Sequence, residues 1–198
     1  MVAAGVTRVL TVDLHAGQIQ GFFDIPVDHL AAAPIFADYF SEHDFGGELV
    51  VVSPDLGGVT RARILADFLK TPIAIIEKRR PRPGEAEVMN IIGDVKGKVA
   101  LMIDDIVDTA GSLCEGAKAL KNRGGAKSVL AACSHAVLSK NAVEKINNSD
   151  IEKIVITDTI PLPHEKESPK IVVLSMAKSI GDVILRIQSR RSVSQLFR

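Results

Sequence analysis

Short apolar runs, rich in β-branched residues and broken by glycine, proline or polar clusters, recur along this 198-residue chain. Arg8–Val12, Glu48–Ser53, Pro72–Glu77, Val99–Ile103, Ser128–Cys133, Ile154–Thr157 and Ile171–Leu174 are predicted strands. Most are apolar throughout, the pattern of strands covered on both faces rather than on one. Between them the period changes. Ala31–Glu42 places Ile35, Phe36, Tyr39 and Phe40 at helical spacing, and Arg61–Lys70, Leu113–Arg123, Asn141–Asn147 and Ala177–Gln188 read the same way. Met1–Gly5 reads as the end of a helix, Asp13–Phe23 as a loop, and Asp24–Asp28 as an extended linker, because Pro26 forbids a helix around it. Lys78–Gly84 is basic and proline-broken, which predicts a mobile loop. Glu87–Val95 is extended and pairs as a hairpin with the strand before that loop, and Ser192–Phe197 is a tail. Strands alternating with helices predict an α/β fold, a mostly parallel twisted sheet with helices on both faces. In such sheets ligands bind at the carboxyl ends of the strands. Asp55–Thr60, Lys78–Arg82 and Asp104–Ser112 all fall at that edge.

Composition narrows the partners. Lys+Arg 24 balance Asp+Glu 24, so neither nucleic acid nor a membrane surface is implied as a partner. At 46% hydrophobic, the chain can build one domain with a good core or one domain plus an appendage. Cys114 and Cys133 are too few for a disulfide framework and read as buried thiols of a reducing compartment. No apolar run reaches transmembrane length and no signal pattern opens the chain, so a cytoplasmic location is expected.

The candidate chemistry centres on Val99-Ala-Leu-Met-Ile-Asp-Asp-Ile-Val-Asp-Thr-Ala-Gly-Ser-Leu113. A buried strand, a small-residue loop and a helix N-terminus make an anion site, because unpaired backbone N–H groups and the helix dipole converge there. Thr109 and Ser112 add hydroxyls, and Gly111 permits close backbone approach. Asp104 and Asp105 would repel a phosphate, so they face hydroxyls or a cation. A phosphorylated sugar satisfies both ends. The plainer reading is an ordinary strand-to-helix turn with Asp108 as the helix cap. His15 reads either as a structural hydrogen-bonder or, with Asp55, as a ligand of a divalent ion that already carries phosphate oxygens. Asp55 alone reads equally as a turn former, and Gly57-Gly58 beside it can present amides to a diphosphate. Lys78, Arg79, Arg80 and Arg82 are either a solvated basic loop or a cationic flap that closes on reacting phosphates.

Taken together these segments resemble the phosphoribosyl pyrophosphate synthetases (ribose-phosphate diphosphokinases). The resemblance runs through Val12-Asp-Leu-His-Ala, Gln18-Ile-Gln-Gly-Phe-Phe, Ser53-Pro-Asp-Leu-Gly-Gly-Val, Lys78-Arg-Arg-Pro, Glu87-Val-Met-Asn-Ile-Ile-Gly, Asp104–Ser112, Arg123-Gly-Gly-Ala-Lys, Ile146-Asn-Asn-Ser and Ser192-Val-Ser-Gln-Leu-Phe. It implies a phosphoribosyltransferase-like fold and transfer of the diphosphate of MgATP to the 1-hydroxyl of ribose 5-phosphate, releasing AMP. It also implies Mg²⁺ on His15 and Asp55, catalysis by Lys78 and Arg80, and Arg80 on the sugar phosphate as well. Asp104 and Asp105 would take ribose hydroxyls, Asp108, Thr109, Ala110, Gly111 and Ser112 the 5-phosphate, and Asp55, Gly57 and Gly58 the diphosphate loop. Ser112 stands where the family usually has Thr. The implied organisation is a remnant of an upstream similar domain (1–27), a ribose 5-phosphate-binding domain (28–189) and a tail (190–198), assembled as a homo-oligomer. The family's upstream adenine-holding loop and Arg-Gln-Asp segment have no counterpart in these residues. Two other readings stand beside this one: a non-catalytic or regulatory sugar-phosphate-binding partner lacking the ATP-binding half, and a phosphoribosyltransferase.

Overall fold

A computed structural model describes residues 1–79 and 88–193, apart from the side chains of 78, 79 and 88. Its described strands and helices run in the order β1 (Val9–Val12), β2 (Val27–Leu30), α1 (Ala33–Glu42), β3 (Leu49–Ser53), α2 (Val59–Leu69), β4 (Ile73–Arg79), β5 (Val88–Ile92), β6 (Val99–Val107), α3 (Gly111–Asn122), β7 (Ser128–Ala136), α4 (Ala142–Asn147), β8 (Ile151–Thr157), β9 (Ile171–Leu174) and α5 (Ala177–Gln188). Seven strands form one sheet in the order β5-β4-β3-β6-β7-β8-β9, parallel except for the β5 edge, which returns antiparallel to β4. β1 and β2 pair in a small parallel sheet of their own.

The apolar runs explain why the sheet sits in the middle. Successive strand residues point to opposite faces. On β6, Ala100 and Met102 enter one core while Val99, Leu101 and Ile103 enter the other. Leu113, Ala117 and Leu120 of α3 and Ala142 and Ile146 of α4 close the first face. Phe36 and Phe40 of α1, Leu65 of α2 and Met176 just before α5 close the second. Each such large side chain contributes about 1.5–3 kcal/mol by leaving water. The α1 stripe of Phe36 and Phe40 is therefore what fixes that helix on the sheet.

Several elements differ from the pattern. β6 continues to Val107, so Asp104 and Asp105 lie within the strand rather than beyond it, held by pairing of Asp104 with Cys133 and of Ile106 with His135. Lys78 and Arg79 belong to β4, their backbone opposite Met89 and Val88. The rest of the expected mobile loop, 80–84, residues 85–87 and the end of the tail, 194–198, lie outside the described residues. Val27–Leu30, in and after the expected linker, is strand β2, because Val9–Val12 offers it a parallel edge; the expected division after residue 27 falls inside that strand. Met1–Gly5 is a single 3₁₀ turn over Val2–Ala4, and the expected loop carries a 3₁₀ segment over Gly17–Phe22.

Candidate functional site

The chain leaves β3 through α2 to β4 on one side, and after β5 it re-enters on the other side of β3 as β6. That reversal opens a crevice at the carboxyl ends of β3 and β6, where ligands of open α/β sheets bind. The loop after β3 carries Asp55, Gly57 and Gly58, and the loop after β6 carries Asp108, Thr109 and Ala110. The last residues of β4, Lys78 and Arg79, end at the same edge. The strand order thus brings the three sequence-predicted segments together.

The β6–α3 loop is built to expose amides. Ala110 sits in the left-handed region at φ 58 as the N-cap residue of α3, and no side chain caps that helix. Asp108 is therefore not the cap, and the unusual backbone belongs to Ala110 rather than to Gly111, which is the first helical residue. Among the described residues, the N–H groups of Thr109, Ala110, Gly111, Ser112 and Leu113 meet no protein acceptor, and neither do the hydroxyls of Thr109 and Ser112 have a protein partner. Consecutive amides around a left-handed residue at a helix start form a concavity for an anion.

Below this nest the two aspartates form a charged knot. Asp105 is only 2% exposed; it accepts from Ile106 N–H (2.9 Å) and from His15 Nδ1 (2.8 Å), and forms an ion pair with Arg61 Nη2 at 2.9 Å. Asp104 is half-buried; its Oδ1 accepts from the Asp105 N–H (2.9 Å) and lies 3.5 Å from Arg61 Nη1. Burial, then the hydrogen bond with Asp105, pushes the Asp104 carboxyl up to about 7. Asp105, although burial pushes it the other way, is held below the usual carboxylate range by the hydrogen bond with Asp104, by Arg61 and by His15. Near neutrality Asp104 is therefore partly protonated, while Asp105 stays ionised. The cation that the aspartates need is supplied by the chain itself. Asp105 is enclosed by these partners, whereas Asp104 keeps an exposed edge.

Asp55 turns back on its loop, its Oδ1 accepting from Gly58 N–H at 2.8 Å while Ser53 Oγ donates to Asp55 O at 2.6 Å. A Cβ on Gly58 would lie 2.9 Å from Ser53 Oγ, so only glycine leaves room there. No group of three or more His, Cys, Asp or Glu converges as a metal cage among the described residues. His15 is 78% exposed and engages Asp105, not Asp55.

What delivers His15 is a clasp that the sequence pattern did not show. Asp13, strained at φ 37, takes Ala32 N–H at 3.0 Å and the Ser134 hydroxyl on one carboxylate oxygen. His135 Nε2 donates to the carbonyls of Val12 (3.0 Å) and Asp13 (3.1 Å), and its Nδ1 lies 2.9 Å from Thr159 Oγ1. A cavity of about 280 Å³ opens between this segment and α2, lined by Asp13, Gly17, Gly57 and Arg61 among others. Arg61, Asp13, Ser134 and His135 are the site residues that sequence reasoning missed. Arg61 had one signal, its place in the first turn of a helix that follows a glycine loop. The others had only their position at the carboxyl edge. Cys133, buried as expected, donates its thiol to Asp105 O at 3.4 Å, and burial pushes that thiol up. Cys114 is also free but only half-buried.

An open, mostly parallel sheet with an amide nest and an aspartate pair at its reversal point defines an α/β fold with an anion site at its switch point. A family model described as "Phosphoribosyl synthetase-associated domain" matches residues 77–198. The chain is 59% identical over 194 residues to "Ribose-phosphate pyrophosphokinase 1" of Listeria innocua, covering 98% of this chain and 61% of that protein. It is 58% identical over 194 residues to "Ribose-phosphate pyrophosphokinase" of Oceanobacillus iheyensis, with the same coverage. The crystal structure of phosphoribosylpyrophosphate synthetase from Mycobacterium smegmatis superposes with a TM-score of 0.88 at 37% identity, over 96% of this chain and 61% of that one. The chain belongs to the phosphoribosyl synthetase family. It spans 61% of the length of the curated relatives named here.

Proposed function

We propose that this chain carries the ribose 5-phosphate half of a ribose-phosphate diphosphokinase, which transfers the diphosphate of MgATP to the 1-hydroxyl of ribose 5-phosphate and releases AMP. The observation that carries this reading is the run of amides from Thr109 to Leu113 without protein acceptors, directly beyond the Asp104–Asp105 pair. The nest takes the 5-phosphate, helped by the Thr109 and Ser112 hydroxyls, and Asp108 borders it. Asp104 takes a ribose hydroxyl, and Asp105 orients His15 and Arg61 beside it.

A divalent cation fits the residues present. Asp105 takes the Nδ1 side of His15, so the neutral ring carries its lone pair on Nε2, the carboxylate–histidine arrangement that supports metal ligands. Asp55 has one carboxylate oxygen without a protein partner among the described residues. Mg²⁺ commonly takes only one or two protein ligands and completes its shell with water and phosphate oxygens. His15 and Asp55 would hold it, and bound there it would neutralise charge on the transferring phosphates. Gly57 offers its backbone amide to the diphosphate, while Gly58, whose N–H is taken by Asp55, leaves room for the close approach. Lys78 and Arg80 supply the transition-state charge, because diphosphoryl transfer needs positioning and electrostatic stabilisation more than covalent chemistry. The same reading includes assembly with further copies, for which exposed Phe22, Leu56 and Leu185 give apolar surface.

Calorimetric titration of the folded chain with ribose 5-phosphate tests the reading. Saturable binding that Asp104→Ala weakens by about 1–3 kcal/mol is expected, the cost of leaving a charged hydrogen bond unmade. No binding by a folded sample overturns it.

A further inference from the structure

The nest has a back as well as a front. Behind it, three successive carbonyls are all occupied by one segment. Leu138 N–H donates to Val107 O at 3.1 Å, Ser139 N–H to Asp108 O at 2.9 Å, and Lys145 Nζ to Thr109 O at 3.2 Å. In a trans peptide the carbonyl and the following N–H point in opposite directions. Fixing the carbonyls of 107, 108 and 109 toward the β7–α4 segment therefore turns the N–H groups of Asp108, Thr109 and Ala110 toward the open side. The segment itself adopts a backbone that L residues rarely take, with Leu138 at φ 49 and Lys140 at φ 54. Its shape is set by contact with the loop, not by local preference.

Two of these donors are backbone amides and survive most substitutions. The third is a side chain. Lys145 projects from α4, half-buried, and its ammonium makes a charge-assisted bond to the carbonyl of the very peptide that leads into left-handed Ala110. Without that bond the Thr109–Ala110 peptide is free to rotate, and the central amide of the nest loses its direction.

We propose that Lys145 is a positioning residue for the anion nest, acting on the far side of the loop without touching the ligand. The proposal rests on the reading of Thr109–Leu113 as the phosphate site. Its distinguishing feature is that the ammonium lies on the carbonyl side of the peptide, opposite the amides that meet the phosphate.

The test compares the wild-type chain with Lys145→Met and Lys145→Arg, using ribose 5-phosphate and inorganic phosphate as separate titrants and the backbone amide signal of Ala110 as a probe of the free protein. Lys145→Met should weaken both titrants by about 5- to 20-fold, below the on the order of 10²-fold loss that an ångström of misplacement can cause. It should also move the Ala110 amide signal before any ligand is added. Lys145→Arg, which keeps a cationic donor, should restore both. Wild-type affinity in folded Lys145→Met overturns the proposal. An unmoved Ala110 signal despite lost affinity also overturns it, because that pattern marks a direct charge contact with phosphate. If the wild type binds neither titrant, the phosphate reading itself falls and this proposal with it. Should Lys145→Met fail to fold, Lys145→Gln keeps a neutral donor and should bind with intermediate affinity; wild-type affinity there overturns the proposal equally.

Discussion

Replacing Arg61 by Met keeps the aliphatic stem against α2 and removes only the charge and the donors. Two carboxylates lose their shared cation, with Asp105 at 2% exposure and Arg61 itself at 22%. Removing one partner of a buried pair costs about 3–5 kcal/mol when the other is left uncompensated. Here the compensation is partial. Asp105 keeps His15 and the Ile106 amide, and Asp104, already raised to about 7, can take a proton. The expected loss is therefore about 2–3 kcal/mol at pH 8, where both groups are pressed to ionise, and about half that at pH 5.5, where Asp104 is neutral. Urea unfolding of Arg61→Met and wild type at the two pH values reads both quantities, and the two curves should share one slope. Equal losses at the two pH values would refute the argument that Asp104 takes up a proton between them. A loss of about 0.5 kcal/mol or less at pH 8, the scale of an exposed ion pair, would refute the buried knot altogether.

Asp104 makes a second, independent pH prediction. Its folded carboxyl titrates higher than the unfolded one, so the native state binds the extra proton and wild-type stability should fall as pH rises from about 4 to about 7, then level. Asp104→Asn should remove that slope; an unchanged slope in the urea midpoints places the proton elsewhere. Asp13→Ala removes the acceptor of Ala32 N–H and the Ser134 hydroxyl and should cost about 1–3 kcal/mol, with faster amide exchange at 13–16; exchange unchanged there would show that the clasp does not hold His15. Gly58→Ala puts a methyl 2.9 Å from Ser53 Oγ and should destabilise by about 1–3 kcal/mol, checked by thermal unfolding with Gly57→Ala as the milder comparison. In a protein that turns over ATP and ribose 5-phosphate, Lys78→Ala should lower kcat by on the order of 10²-fold, the scale of a lost transition-state contact. An unchanged kcat would remove Lys78 from catalysis.

The strands and helices were legible where the apolar period is local. Ala177–Gln188 and Ile171–Leu174 appear in the structure with the limits their pattern predicts. The turn from β6 into α3 was legible too, because strand, small residues and helix follow one another directly, although the helix begins at Gly111 rather than at Leu113. What escaped is whatever depends on partners far apart in the chain. His15 meets Asp105 across 90 residues, Arg61 meets Asp104 across 43, and Ser134 meets Asp13 across 121. No periodicity encodes such pairs. The same reason explains β6 and β2. Asp104 to Val107 reads as loop until β7 is there to pair with it, and Val27–Leu30 reads as linker until β1 offers an edge.

The small sheet of β1 and β2 shares no ladder with the seven-stranded one; Leu30 and Val12 pack it on the core, and the loop that carries His15 is tied to the large sheet by side-chain bonds among Asp13, Ser134, His135, His15 and Asp105. Free energies of local opening vary across a fold, and a segment held by a few polar contacts opens well below the global limit. The stretch from Asp13 to Pro26, which carries His15 and has no buried residue, can thus open while β6, its loop and α3 stay folded. Such an opening would carry away the imidazole and leave the anion nest intact. Under the proposed function, affinity for the sugar phosphate and competence toward the metal would then be separable, and a mild denaturant that abolishes the second should spare the first.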